Sequence, residues 1–168
     1  MTGPGIPEVL GDVPEATVST EALAEHLNEG TVTVIDLELS TVYERAHIPG
    51  ALWCVRARLS DALSEAADAT LIVLTSGDGL LARTALADAR ALSPCPVEAL
   101  TGGTDAWLAE GRPAASGLEH TIGPTDDVWY KPYDHRGNQE QFMRDYLTWE
   151  VALVEQIERD GTTRFQAL

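Results

Sequence analysis

Apolar positions along this chain fall into short blocks separated by turn-forming residues, and the blocks alternate between two periods. Val32-Thr33-Val34-Ile35-Asp36, Ala51-Leu52-Trp53-Cys54-Val55, Leu71-Ile72-Val73-Leu74 and Val97-Glu98-Ala99-Leu100 are compact apolar runs with β-branched members, which predicts buried strands. The second run follows a Pro49-Gly50 turn, the third ends at Thr75 and the fourth at Gly102-Gly103. Between the runs the spacing turns helical. Ser19 and Thr20 stand as hydroxyl caps before Glu21 to Glu29, and Gly30 supplies the stop. A segment from Leu80 to Leu92 lines up Leu81, Ala85, Leu86 and Leu92 and closes at Ser93-Pro94. Thr104 is placed to cap Asp105 to Glu110, which Gly111 ends. Strand, helix, strand is the rhythm of a parallel sheet, so the expected fold is α/β, a parallel sheet flanked by helices.

Three regions follow from the same pattern. Residues 1–16, rich in Pro and Gly, read as a flexible leader, and residues 17–113 hold the α/β unit. Residues 114–168 form a linker, as far as about 137, and a long amphipathic C-terminal helix. In that helix Phe142, Tyr146, Trp149, Leu153 and Ile157 make one stripe, with Met143, Leu147 and Val154 beside it. Asn138 and Gln141 have capping-box spacing and Gly161 is the stop. So wide an apolar face calls for cover, by the α/β body, a second subunit as in a homodimer, or a partner protein.

Composition narrows the function. With 11 basic and 27 acidic residues in 168, the formal charge of −16 repels nucleic-acid phosphates and anionic lipid surfaces, so neither nucleic acid nor a membrane is an expected partner. Lys131 is the only Lys, so anion recognition would rest on Arg. Two cysteines, Cys54 and Cys95, are too few for a disulfide framework and form no CxxC motif, which points to a reducing cytoplasmic compartment. No basic-then-apolar leader is present, nor any run near the roughly 18 apolar residues of a membrane span.

Tyr43-Glu44-Arg45-Ala46-His47-Ile48-Pro49-Gly50-Ala51 resembles the aromatic-x-x-x-His-Ile-Pro-Gly-Ala signature of the rhodanese homology domain. Val32 to Asp36 resembles the strand that opens that family's Asp-x-Arg element, and Leu100-Thr101-Gly102-Gly103 with Ala106-Trp107, Gly111 and Pro113 resembles its closing pattern. The stretch from Asp127-Val128-Trp129 through Gly161 is similar to the C-terminal extension of bacterial proteins with several rhodanese repeats. The resemblance implies transfer of sulfane sulfur through a cysteine persulfide. It places the cysteine after a central strand, on a loop of converging N–H groups with a helix N-terminus behind it.

Here Leu71 to Leu74 leads instead into Thr75-Ser76-Gly77-Asp78-Gly79-Leu80-Leu81-Ala82-Arg83, so Thr75, or Ser76 with a one-residue shift, stands at the nucleophile's position. A hydroxyl has a far higher pKa than a thiol and forms no persulfide. The Asp-x-Arg element reads Asp36-Leu37-Glu38, an anion in place of a cation, while Asp78 adds a charge that opposes a bound anion. Gly77 and Gly79 keep the tight backbone path, so the loop from Thr75 to Leu80, with Arg83, remains a candidate cradle for a small anion.

Each candidate has an alternative. Thr75 and Ser76 could donate to an oxyanion or cap the next helix. Cys54, at a strand end on the same rim, could be a relocated nucleophile or a small core residue. Arg56, Arg58 and Arg83 could form a positive pocket or pair with surface carboxylates. His47 belongs to a structural turn under the resemblance, and Cys95 is assigned no chemistry. His120, Asp126, Asp127, Asp134 and His135 match no metal template, so neither a metal nor another cofactor is expected. Trp129, Tyr130 and Tyr133 read as a packing seam for the tail.

The leading expectation is a rhodanese-like domain without the persulfide-forming cysteine, working as a binding or regulatory module. The alternatives are an enzyme with repurposed chemistry on a small anionic or carbonyl substrate, and a sulfurtransferase using Cys54.

Overall fold

The computed structural model of the chain describes residues 17–129, 131 and 137–161. In chain order the elements are β1 (Thr17–Val18), α1 (Thr20–Glu29), β2 (Val32–Asp36), α2 (Ser40–Tyr43), β3 (Leu52–Trp53), α3 (Leu59–Glu65, after a 3-10 turn at Arg56–Arg58), β4 (Leu71–Thr75), α4 (Leu80–Leu92), β5 (Val97–Leu100), α5 (Gly103–Ala109) and α6 (Gln139–Asp160). The strands form one five-stranded sheet in the order β1-β5-β4-β2-β3, parallel throughout.

Alternation along the strands sorts the core onto two faces. Ile35, Ile72, Leu74 and Ala99 pack with Leu59, Leu63, Ala82, Ala85, Leu86 and Ala89 from α3 and α4. Val34, Val73 and Leu100 point the other way, to Leu23, Tyr43, Ile48, Trp53 and Trp107. Burial on both faces explains why these strands read as continuous apolar runs. The His47 turn is held from within: its ring stacks on Tyr43 at 3.8 Å, its Nδ1 lies 2.8 Å from Tyr43 O, and the Tyr43 hydroxyl donates to Ala51 O at 2.6 Å.

The chain divides into two compact units between Val128 and Trp129. The stretch expected as linker from residue 114 is therefore part of the first unit for much of its length. Ala115 bridges to His47, His120 O accepts the Trp53 N–H, and an Asp127 carboxylate oxygen accepts the Ser40 N–H at 2.7 Å, serving as a remote cap for α2. In the second unit α6 runs 22 residues, capped by the Asn138 side chain on the Gln141 N–H and stopped at Gly161 with φ 62°. Trp129 and Tyr146 lie 6.0 and 5.9 Å from Trp149, while Tyr130 and Tyr133 fall outside the described residues. No helix among the described residues is long and apolar enough to cross a membrane.

Candidate functional site

Sheet register sets Asp36, the last residue of β2, opposite Thr75 on one side and Trp53 on the other. All three lie at the C-terminal rim, where ligands of parallel sheets bind. The Asp36 carboxyl is buried and accepts from the Glu38 N–H at 2.9 Å and from the Thr104 hydroxyl at 3.3 Å. Burial raises its pKa to about 6, against the lowering pull of those two donors. Thr104, expected to cap α5, does otherwise: Gly102 in the left-handed region is the cap residue, and the Thr104 hydroxyl lies 2.9 Å from that of Thr75. Thr75 is thus fully buried in a chain of hydroxyls that ends on Asp36.

Four amides of the following loop and helix start are taken by the chain's own acceptors. Gly77 N–H donates to Glu38 Oε2 at 2.8 Å, Gly79 N–H to Ser76 O at 3.1 Å, Leu80 N–H to Asp78 Oδ1 at 2.8 Å, and Ala82 N–H to Ser76 Oγ at 3.3 Å. Glu38 Oε1 accepts in addition from the Leu39 N–H at 3.0 Å. Ser76, also buried, therefore performs the capping role at the start of α4, and two of these four amides rest on carboxylates.

Two of the loop's carbonyls are occupied as well. Ser76 O and Gly77 O accept from the Thr104 and Asp105 N–H groups at 3.0 and 2.9 Å, which joins the loop to the first turn of α5. This approach is possible only because residue 103 is Gly: a Cβ there would lie 2.0 Å from Ser76 O, at a φ of +63°. Asp105 brings a second carboxylate to the loop, since a Cβ on Gly77 would stand 2.9 Å from Glu38 Oε2 and 3.5 Å from Asp105 Oδ2.

The remaining candidates take the following places. Arg56 pairs with Asp88 at 2.6 Å, and Arg58 binds Pro124 O at 3.0 Å and Asp126 at 3.4 Å, so the carboxylate-pairing expectation describes both. Arg83 makes no ion pair among the described residues, and its Nε is buried without a hydrogen-bond partner. Cys54 is fully buried in the α3–α4 core; burial first, then the nearby Asp36 and Asp61 carboxylates, pushes its thiol up to about 12. Such a thiol is almost wholly protonated near neutrality and is a poor nucleophile. Cys95 hydrogen-bonds within its own turn to Ser93. Asp126 and Asp127 serve Arg58 and Ser40, while Asp134 and His135 lie outside the described residues. Among the described residues no three His, Cys, Asp or Glu side chains converge on a metal position.

Two participants escaped the sequence reading. Glu38 was legible as a reversed charge but not as the acceptor of a loop amide. Thr104 was legible as a helix cap but not as the link between Thr75 and Asp36. The available signal was the coincidence of three acids, Glu38, Asp78 and Asp105, with the elements that meet at one strand end.

Fold and loop define a parallel α/β domain whose strand-loop-helix site lies at the rim of its central strand. The family model for the Rhodanese-like domain matches residues 19–110, and the chain belongs to this family. A thiosulfate sulfurtransferase from Pseudomonas aeruginosa is similar over 95% of this chain, with 42% identity and a TM-score of 0.84. The chain spans only 30% of that protein's length. A human single-domain sulfurtransferase shares the fold at 23% identity and a TM-score of 0.50, over 58% of this chain and 98% of its own. A 3-mercaptopyruvate sulfurtransferase from Escherichia coli does so at 19% identity and 0.53, over 65% of this chain and 54% of its own. No curated protein matches the chain.

Proposed function

We propose that this chain is a rhodanese-like domain that carries no sulfur and acts as a binding or regulatory module. The observation that carries the reading is the Gly77 N–H bonded to Glu38: a loop amide that could face a persulfide or a donor anion faces an internal carboxylate instead. Asp78 and Asp105 add negative charge at the same place, so the local field disfavours thiosulfate. Loss of the persulfide-forming cysteine fits the loop sequence Thr75 to Gly79, and the buried, protonated thiol of Cys54 argues against a relocated one.

Hydroxyl chemistry on a small anion or carbonyl is the weaker reading. The Thr75 oxygen is buried against Thr104, and that of Ser76 holds the Ala82 N–H. A chain that matches 30% of a thiosulfate sulfurtransferase suits a module working beside a separate sulfur-carrying unit. Two free cysteines support a reducing, cytoplasmic setting.

The test is intact-protein mass spectrometry after incubation with thiosulfate. The reading expects an unmodified mass; an added sulfur atom, mapped to Cys54 or Cys95, would overturn it.

A further inference from the structure

The second unit carries an apolar face with a charged border, and the border selects its occupant. On α6 the residues Phe142, Tyr146 and Leu153 are half-buried, whereas Met143, Leu147, Val151 and Val154 are 42, 51, 78 and 63% exposed. These four recur at helical spacing, so they form a second strip along the helix beside the half-buried one. Glu150 stands three residues after Leu147 and four before Val154, on one flank. Glu155, four residues after Val151, stands on the other, and Glu158 closes the strip one turn beyond Val154. None of these three glutamates forms an ion pair among the described residues; of the two arginines on α6, Arg144 is held by Glu140, and Arg159 stands in the last turn, four residues after Glu155.

Helices that pair through an apolar seam are sorted by the charges beside the seam. Two parallel copies of α6 would set glutamate against glutamate, and in either direction two chains of charge −16 repel, which penalises self-association. A seam bordered by Lys or Arg would instead meet each glutamate with its opposite charge. We propose that the Met143–Leu147–Val151–Val154 strip is a docking face for a partner helix whose apolar seam is flanked by basic residues. This deepens the reading of the chain as a binding module by naming the chemistry of what it binds.

The test titrates the full chain with two synthetic amphipathic peptides that share a Leu/Ile seam, one flanked by Lys and the other by Glu, followed by fluorescence anisotropy. Only the Lys peptide is expected to bind. Its affinity falls roughly tenfold for Val151→Glu, since one buried branched side chain is lost and a charge enters the seam. It also weakens for Glu150→Gln with Glu155→Gln, and with rising salt. Circular dichroism checks that each variant keeps its helix content.

Equal binding of both peptides, binding of neither, or undiminished binding by Val151→Glu would overturn the inference. So would a dimer in sedimentation equilibrium that Val151→Glu dissociates, which would make a second copy the occupant. A persulfide in the mass-spectrometric test would instead overturn the reading above and leave this face as it is.

Discussion

Replacing Glu38 by Ala removes the acceptor from two backbone amides at once, Gly77 N–H at 2.8 Å and Leu39 N–H at 3.0 Å. A hydrogen bond to a charged acceptor contributes about 1.5–3 kcal/mol when sheltered. Glu38 is only half-buried, so the Gly77 bond belongs at the low end of that range, and the exposed Leu39 bond adds about 0.5 kcal/mol at most. Separating Glu38 from Asp78 and Asp105 returns part of this, leaving a net loss of about 1 kcal/mol, or a Tm lower by about 4 °C. Stability alone would not single out the cause, so the deciding assay is amide hydrogen exchange. Gly77 is expected to exchange about tenfold faster in Glu38→Ala, because its only acceptor in the loop is gone. Amides of β4 should change no more than the global stability does. An unchanged Gly77 rate would refute the claim that Glu38 fills the loop.

Gly103→Ala is expected to cost more than about 3 kcal/mol, since its Cβ would lie 2.0 Å from Ser76 O and 2.3 Å from Gly77 O. Gly111→Ala, at a φ of +70° with nothing within 4 Å, is expected to cost only about 1 kcal/mol in the same urea titration. Equal losses would show that the loop does not rest on residue 103. Asp36 should make stability fall with pH: a carboxyl raised from 3.8 to about 6 contributes stability that is present below about pH 4 and lost as pH climbs through 6, about 3 kcal/mol in all. Asp36→Asn should flatten that decline, and an unaltered profile would assign it to other groups. Cys54 should resist a thiol reagent in the native state and react only in denaturant, with the half-exposed Cys95 labelled first. Native labelling of Cys54 at the rate of Cys95 would contradict its burial.

The parts of the fold that could be read from the chain are those governed by local pattern. β2, β4 and β5 are buried on both faces, so their apolar runs are unbroken, and α4 and α6 carry both a periodic face and a stop signal. α2 and α3 gave no such signal. Neither has a side-chain cap of its own, and the first amide of α2 is satisfied by Asp127, 87 residues away. The site divides in the same way. The hydroxyl of Thr75 and the carboxylate of Glu38 are properties of single positions and stand in the sequence. That the Glu38 carboxylate reaches a loop amide depends on the register that sets Asp36 beside Thr75, and on the turn in which Asp36 holds the Glu38 N–H. Thr104 went astray for a related reason: its local propensity to cap a helix is overridden by a buried hydroxyl partner far along the chain.

The most direct measurement is thiocyanate formation by the purified chain from thiosulfate and cyanide, run beside a rhodanese-like domain that has a cysteine in the corresponding loop. The expected rate is no greater than that of the buffer. Turnover comparable to the cysteine-bearing domain would contradict it, and would mean that sulfur is carried despite the carboxylate seated on Gly77.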